Sequence, residues 1–108
     1  TMIVEKGVEM KGVCANLKAI LKIVHLVFYE AGNHLIIIGS VRGCDKHREA
    51  HEKGRAVDVK PPLVDANRVF YKAKGALGMN YTVKRERACW HIEFEPLNHP
   101  PERQGVGA

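Results

Sequence analysis

Apolar positions recur at three- and four-residue steps between Val8 and Ala31, where Val13, Leu17, Ile20, Leu21, Val24 and Phe28 form a single stripe. With 3.6 residues per turn such spacing gathers one face, so the segment predicts a helix packed on a core. Gly32-Asn33 predicts its end, because glycine takes the left-handed backbone of a helix C-terminus at little cost. The next run, HLIIIGSVRG, is short and rich in β-branched residues, the pattern of a buried strand. Cys44 to Lys53 is polar and without a clean period, and predicts a loop. Gly54 to Val59 predicts a second strand, ended by Pro61-Pro62. Asp65 is placed to cap a helix from about Ala66 to Ala76, with Val69, Phe70 and Ala73 inward and Gly78 beyond its end. Two further strands are predicted around MNYTVK and CWHIEFE, and the tail PLNHPPERQGVGA, rich in Pro and Gly, predicts an extended segment from about residue 97.

At 108 residues the chain suits one domain with one core. Apolar residues make up 45% and charged residues 27%, the balance of a globular protein rather than a disordered one. The most apolar stretch, AILKIVHLVFYEAG, is broken by Lys22, His25 and Glu30, well short of the roughly 20 apolar residues a membrane span needs. Glu5, Lys6 and Glu9 stand where the apolar core of a signal peptide would begin, so synthesis in the cytoplasm without membrane attachment is expected, and any export would need outside help. Three cysteines, Cys14, Cys44 and Cys89, are an odd number without paired spacing, which predicts reduced thiols. The net charge of +5 admits an anionic partner such as nucleic acid, an acidic polymer or a cell wall. Its lysines and arginines are scattered, with no aromatic-basic cluster, which argues against a nucleic-acid face.

Strand alternation puts Cys89, His91, Glu93 and Glu95 on one face of the last strand, and Trp90, Ile92 and Phe94 on the other. Ala56 and Asp58 share a face of the second strand, so Asp58 can meet His91 if the two strands are neighbours. With His51 they make a three-ligand set of nitrogen and oxygen donors that leaves a fourth position for water, the arrangement of a catalytic zinc site. Glu86, five residues before His91, is the candidate general base. Taken singly, His51 reads as a loop histidine, Asp58 as a turn cap, His91 as a satisfied sheet histidine and Glu86 as a solvated partner of Lys84 or Arg87. A structural zinc module that binds nucleic acid, built on Cys44, His47, Cys89 and His91, is an alternative, although Cys-x-His is an unusual spacing.

The stretch HEKGRAVD, His51 to Asp58, resembles the H-x-x-G-x-A-x-D signature of the zinc peptidases that include D-Ala-D-Ala carboxypeptidases, vancomycin-resistance dipeptidases and phage L-alanyl-D-glutamate endolysins. The hedgehog signalling domain shares their fold and the GRAVD stretch. ERACWHIEFEP is similar to the ending of many small members, and GSVRG supplies the family's S-x-R element with Ser40 and Arg42. The resemblance spans about Leu35 to Pro96. It implies an α+β domain over residues 1–108, with a small antiparallel-type sheet and helices packed on one face. It further implies a Zn2+ ion on His51, Asp58 and His91, Glu86 as catalytic base, and Arg42 with Ser40 as substrate-binding residues. The expected activity is hydrolysis of peptidoglycan stem peptides by a monomer, either a cytoplasmic dipeptidase or a phage-type lysin released to the wall. A catalytically silent, hedgehog-like zinc module is the alternative. Two departures from the family pattern are Glu49, where a serine is usual, and Cys89, where many relatives have histidine.

Overall fold

In a computed structural model that describes residues 2–40, 50–51 and 53–95, the first helix starts later than its apolar stripe. Helix α1 spans Ala15–Glu30. Val13 is buried and Val8 packs against the core, but Gly7 and Gly12 take φ of 89° and 96°, which no right-handed helix accommodates. The pattern before Ala15 therefore reflects burial of an irregular segment. The helix ends as predicted: Gly32 has φ 90°, its N–H donates to the Tyr29 carbonyl at 2.9 Å, and the Asn33 N–H donates to the Phe28 carbonyl at 2.9 Å. This paired closure satisfies two carbonyls that the helix leaves open.

The remaining elements are strands β1 (Met2–Val4), β2 (Leu35–Gly39), β3 (Ala56–Val59), β4 (Tyr81–Arg85) and β5 (Trp90–Phe94), with helix α2 (Ala66–Leu77) between β3 and β4. Asp65 precedes α2 as expected, but its backbone is left-handed, with φ 52°, and its side chain makes no capping hydrogen bond. Asn33 secures the approach instead. Its Oδ1 accepts the N–H groups of Leu63 and Val64 at 3.0 and 2.9 Å, and its Nδ2 donates to the Val64 carbonyl at 2.9 Å.

The strands form one sheet in the order β1-β2-β3-β5-β4. Three of its pairings are antiparallel, while β1 runs parallel to β2, so the sheet is mixed rather than antiparallel throughout. Three residues carry no readable period, which is why Met2–Val4 is silent in sequence and becomes a strand only by pairing with Leu35, Ile36 and Ile37. Both helices pack against the sheet, and the fold is α+β.

Leu17, Ile20, Leu21, Val24 and Phe28 of α1 and Val69, Phe70 and Leu77 of α2 share one core with Val57, Val59, Trp90 and Ile92. Trp90 lies edge-on to Phe28 and Phe70, with ring centroids 5.8 and 5.5 Å away, and so joins both helices to the sheet. Each such aromatic pair adds about 0.5–1.5 kcal/mol beyond the area it buries. No helix among the described residues is long and apolar enough to cross a membrane.

Candidate metal centre

Because Val57 and Val59 face the helices, alternation turns Ala56 and Asp58 to the opposite face of β3. Asp58 pairs directly with His91 in the β3–β5 register, so the two side chains rise from adjacent strands on the same side. His51 arrives from a helix end. Ala50 and His51 have helical backbone, the Gly54 N–H donates to the His51 carbonyl at 3.0 Å, and the Arg55 N–H donates to the Ala50 carbonyl at 2.9 Å. This is the closure seen at Gly32, here with Gly54 at φ 72°. The loop expected from Cys44 to Lys53 is therefore helical at Ala50–His51; that stretch lacks an apolar period, so periodicity could not reveal it. Residues 44–49 lie outside the described residues.

Gly54 is constrained twice. Besides its left-handed backbone, a β-carbon there would collide with the Gly12 carbonyl oxygen, and its own carbonyl accepts the Cys14 N–H at 2.8 Å. The signature thus has a physical reading: His51 at a helix end, Gly54 turning the chain against the 12–14 segment, small Ala56 on the ligand face, and Asp58 on the strand.

The three side chains are as buried as the core, at 0% exposure for His51, 2% for Asp58 and 0% for His91. His51 Nδ1 donates to the Ser40 carbonyl. A carbonyl only accepts, so Nδ1 carries the proton and Nε2 is left bare. That Nε2 lies 3.3 Å from Asp58 Oδ2 but is not aligned to hydrogen-bond with it, and it is buried without a hydrogen-bond partner. His91 Nδ1 lies 2.9 Å from Asp58 Oδ1, and one donor atom from each residue falls within 4.8 Å of the others. A tetrahedral ion with bonds of about 2.0–2.1 Å sets its ligand atoms roughly 3.3 Å apart. An orphaned nitrogen beside a carboxylate at that spacing fits a shared cation, and the cluster can hold a metal ion.

The electrostatics agree. Burial, the largest single influence on His51, lowers its pKa, but the adjacent Asp58 carboxylate and the backbone groups of Ser40 and Ala56 together raise it above the ordinary 6.5. The site favours positive charge, and a divalent ion supplies more of it than a proton does.

Ser40 is 2% exposed, and its hydroxyl donates to the Glu9 carbonyl while its own carbonyl holds His51. It also lines a cleft of about 550 Å³ with Glu5, Lys6, Val8, Glu9 and Ile38. Glu86 is half-buried at the turn between β4 and β5, where its N–H donates to the Cys89 carbonyl at 2.9 Å. Strand β4 ends at Arg85, one residue after Lys84 pairs with His91, so Glu86 lies beyond the ladder, and it is not one of the clustered donors. Cys89 is buried at 3% exposure but is not one of the clustered donors. Arg42, Cys44, His47 and Glu49 lie outside the described residues.

Two contributors lie outside the expected metal-site residues. One is the Ser40 main-chain carbonyl; the other is Glu93, whose Oε1 lies 2.9 Å from His91 Nε2. The spacing of Glu93, two residues from His91 on one strand face, was the available signal.

Comparison with protein-family models, with curated proteins and with solved structures finds no match to this chain.

Proposed function

We propose that this chain is a zinc metallopeptidase that hydrolyses peptide bonds in peptidoglycan stem peptides, of D-Ala-D-Ala carboxypeptidase or L-Ala-D-Glu endopeptidase type. The observation that carries this reading is the convergence of His51, Asp58 and His91 around a bare, buried His51 Nε2, within a stretch that resembles the signature of such enzymes. When bound, zinc supplies Lewis acidity that acidifies a coordinated water and polarises a scissile carbonyl. In this reading Glu86, in the turn that leads into the strand of His91, accepts a proton from the attacking water and passes it to the leaving amine. Arg42 offers a fixed guanidinium fork for a substrate carboxylate. The net charge of +5 favours approach to an anionic wall by a monomeric, phage-type lysin.

A second reading, a zinc-containing binding module without catalysis, is favoured by the near-complete burial of all three ligands. Digestion of purified peptidoglycan by zinc-loaded protein, with product masses read beside a Glu86→Gln control, separates the two. Release of stem-peptide fragments by the wild type and not by the variant is expected. No mass change against several wall chemistries overturns the peptidase reading.

A further inference from the structure

The cluster contains a second carboxylate that no ligand role requires. Glu93 follows His91 by two residues on β5 and shares its face, with Oε1 2.9 Å from His91 Nε2. Its side chain is 13% exposed, against 0% for His91, so it stands at the rim of the buried cluster. Its cross-strand neighbours are Ala56 on β3 and Thr82 on β4.

We infer that Glu93 is a positioning residue that holds His91 as the Nε2–H tautomer, so that Nδ1 is the nitrogen offered to the metal. A carboxylate accepts and cannot donate, so it stabilises the proton on Nε2 and disfavours a lone pair there. Nδ1 faces the Asp58 carboxylate at the same 2.9 Å, so a cation between Nδ1 and Asp58 would take the place of a proton there while Glu93 keeps the one on Nε2. The Ser40 carbonyl imposes the opposite choice on His51, whose Nδ1 is the donor and whose Nε2 faces the cluster. The two histidines thus present opposite ring nitrogens to one point, each locked from behind by an acceptor of a different kind. The carboxylate behind His91 also makes Nδ1 a more electron-rich donor, which a neutral carbonyl does less well. Partners of this sort typically contribute 10–100-fold to metal affinity.

The inference rests on the metal reading of the cluster and is independent of peptidase activity. Its test uses the full chain, as wild type, Glu93→Gln and Glu93→Ala. Zinc affinity is measured by competition with a chromophoric chelator, and the His91 tautomer by long-range proton–nitrogen NMR of the zinc-loaded protein. Glu93→Ala is expected to weaken zinc binding about 10–100-fold and to lose the strict Nε2–H form of His91. Glu93→Gln, nearly isosteric and still able to accept through its amide oxygen, is expected to fall between the two, and it provides the reading should the alanine variant fail to fold. Wild-type affinity, within about threefold, together with an unchanged tautomer in the variants overturns the assignment of Glu93 alone. A wild-type chain that takes up no zinc overturns the metal reading and this inference with it.

Discussion

The two faces of the β3–β5 pair are equally dry and chemically opposite. Toward the helices stand Val57, Val59, Trp90 and Ile92, all at 3% exposure or less. Toward the other side stand Asp58 and His91, joined by His51, at 2% or less. On the first face burial is itself the source of stability, because apolar area leaves water at roughly 25 cal/mol per Å². On the second face burial is a cost, since a carboxylate and two imidazoles lose hydration and must recover it from one another or from a cation. One face should therefore be indifferent to solution conditions, and the other should respond to pH and to metal.

The largest expected effect breaks the helix face. Trp90→Ala removes the ring that touches Phe28 and Phe70 and should cost about 3–5 kcal/mol. Denaturant unfolding should show a similar loss in zinc and in chelator, and a loss confined to one condition would erase the distinction between the faces. Next comes Asp58→Ala, which removes the carboxylate that both histidines share. Wild-type protein should gain about 4 kcal/mol at free zinc near 1,000 times its dissociation constant, and the variant should gain almost nothing. A rise in Tm on zinc addition equal to that of the wild type would place the ion elsewhere.

A smaller effect separates two glycines. Gly32→Ala meets open space and should lose only the roughly 1–2 kcal/mol of a left-handed backbone. Gly54→Ala adds the collision with the Gly12 carbonyl, so it should lose more and should also weaken zinc binding by displacing His51. Equal losses in Tm at the two positions would show that the 12–14 segment yields freely.

The smallest effect is the pH dependence of the metal-free protein. His51 has a folded pKa above 6.5, so its charge contributes stability that is fully present below about pH 6.5 and lost as pH rises through the raised value. Zinc competes with that proton, and its affinity should climb over the same window. Denaturation in chelator across this range, with His51→Gln as control, checks the sign. A wild-type slope no different from that of the control would remove His51 as its source.

Much of this arrangement is legible in sequence because it depends on side-chain letters at short spacing. Alternation alone puts Asp58 with Ala56 and His91 opposite Trp90, and the register then makes the pair. Gly32 announces its helix end because the stripe before it is unmistakable, whereas Gly54 closes a helix whose preceding residues carry no stripe. Ser40 contributes through its carbonyl, which every residue possesses, so its letter suggests only a hydroxyl. That hydroxyl turns to the Glu9 backbone. Strand β1 is invisible because its pairing with β2, and not its own composition, makes it a strand. The apolar stripe overruns helix α1 because Val8 and Val13 are buried without being helical, and periodicity cannot distinguish the two.

The bond from Cys14 to the Gly54 carbonyl has a consequence for the order of folding events. His51 is aimed by a turn stitched to a segment far earlier in the chain, and Asp58 meets a histidine 33 residues later. No short fragment contains the donors in register, and the long loops that join them close only when β3 and β5 have found each other. A cation therefore arrives at a site that the fold has already assembled and cannot serve as its nucleus. In kinetic experiments zinc should slow unfolding while leaving the rate of folding unchanged.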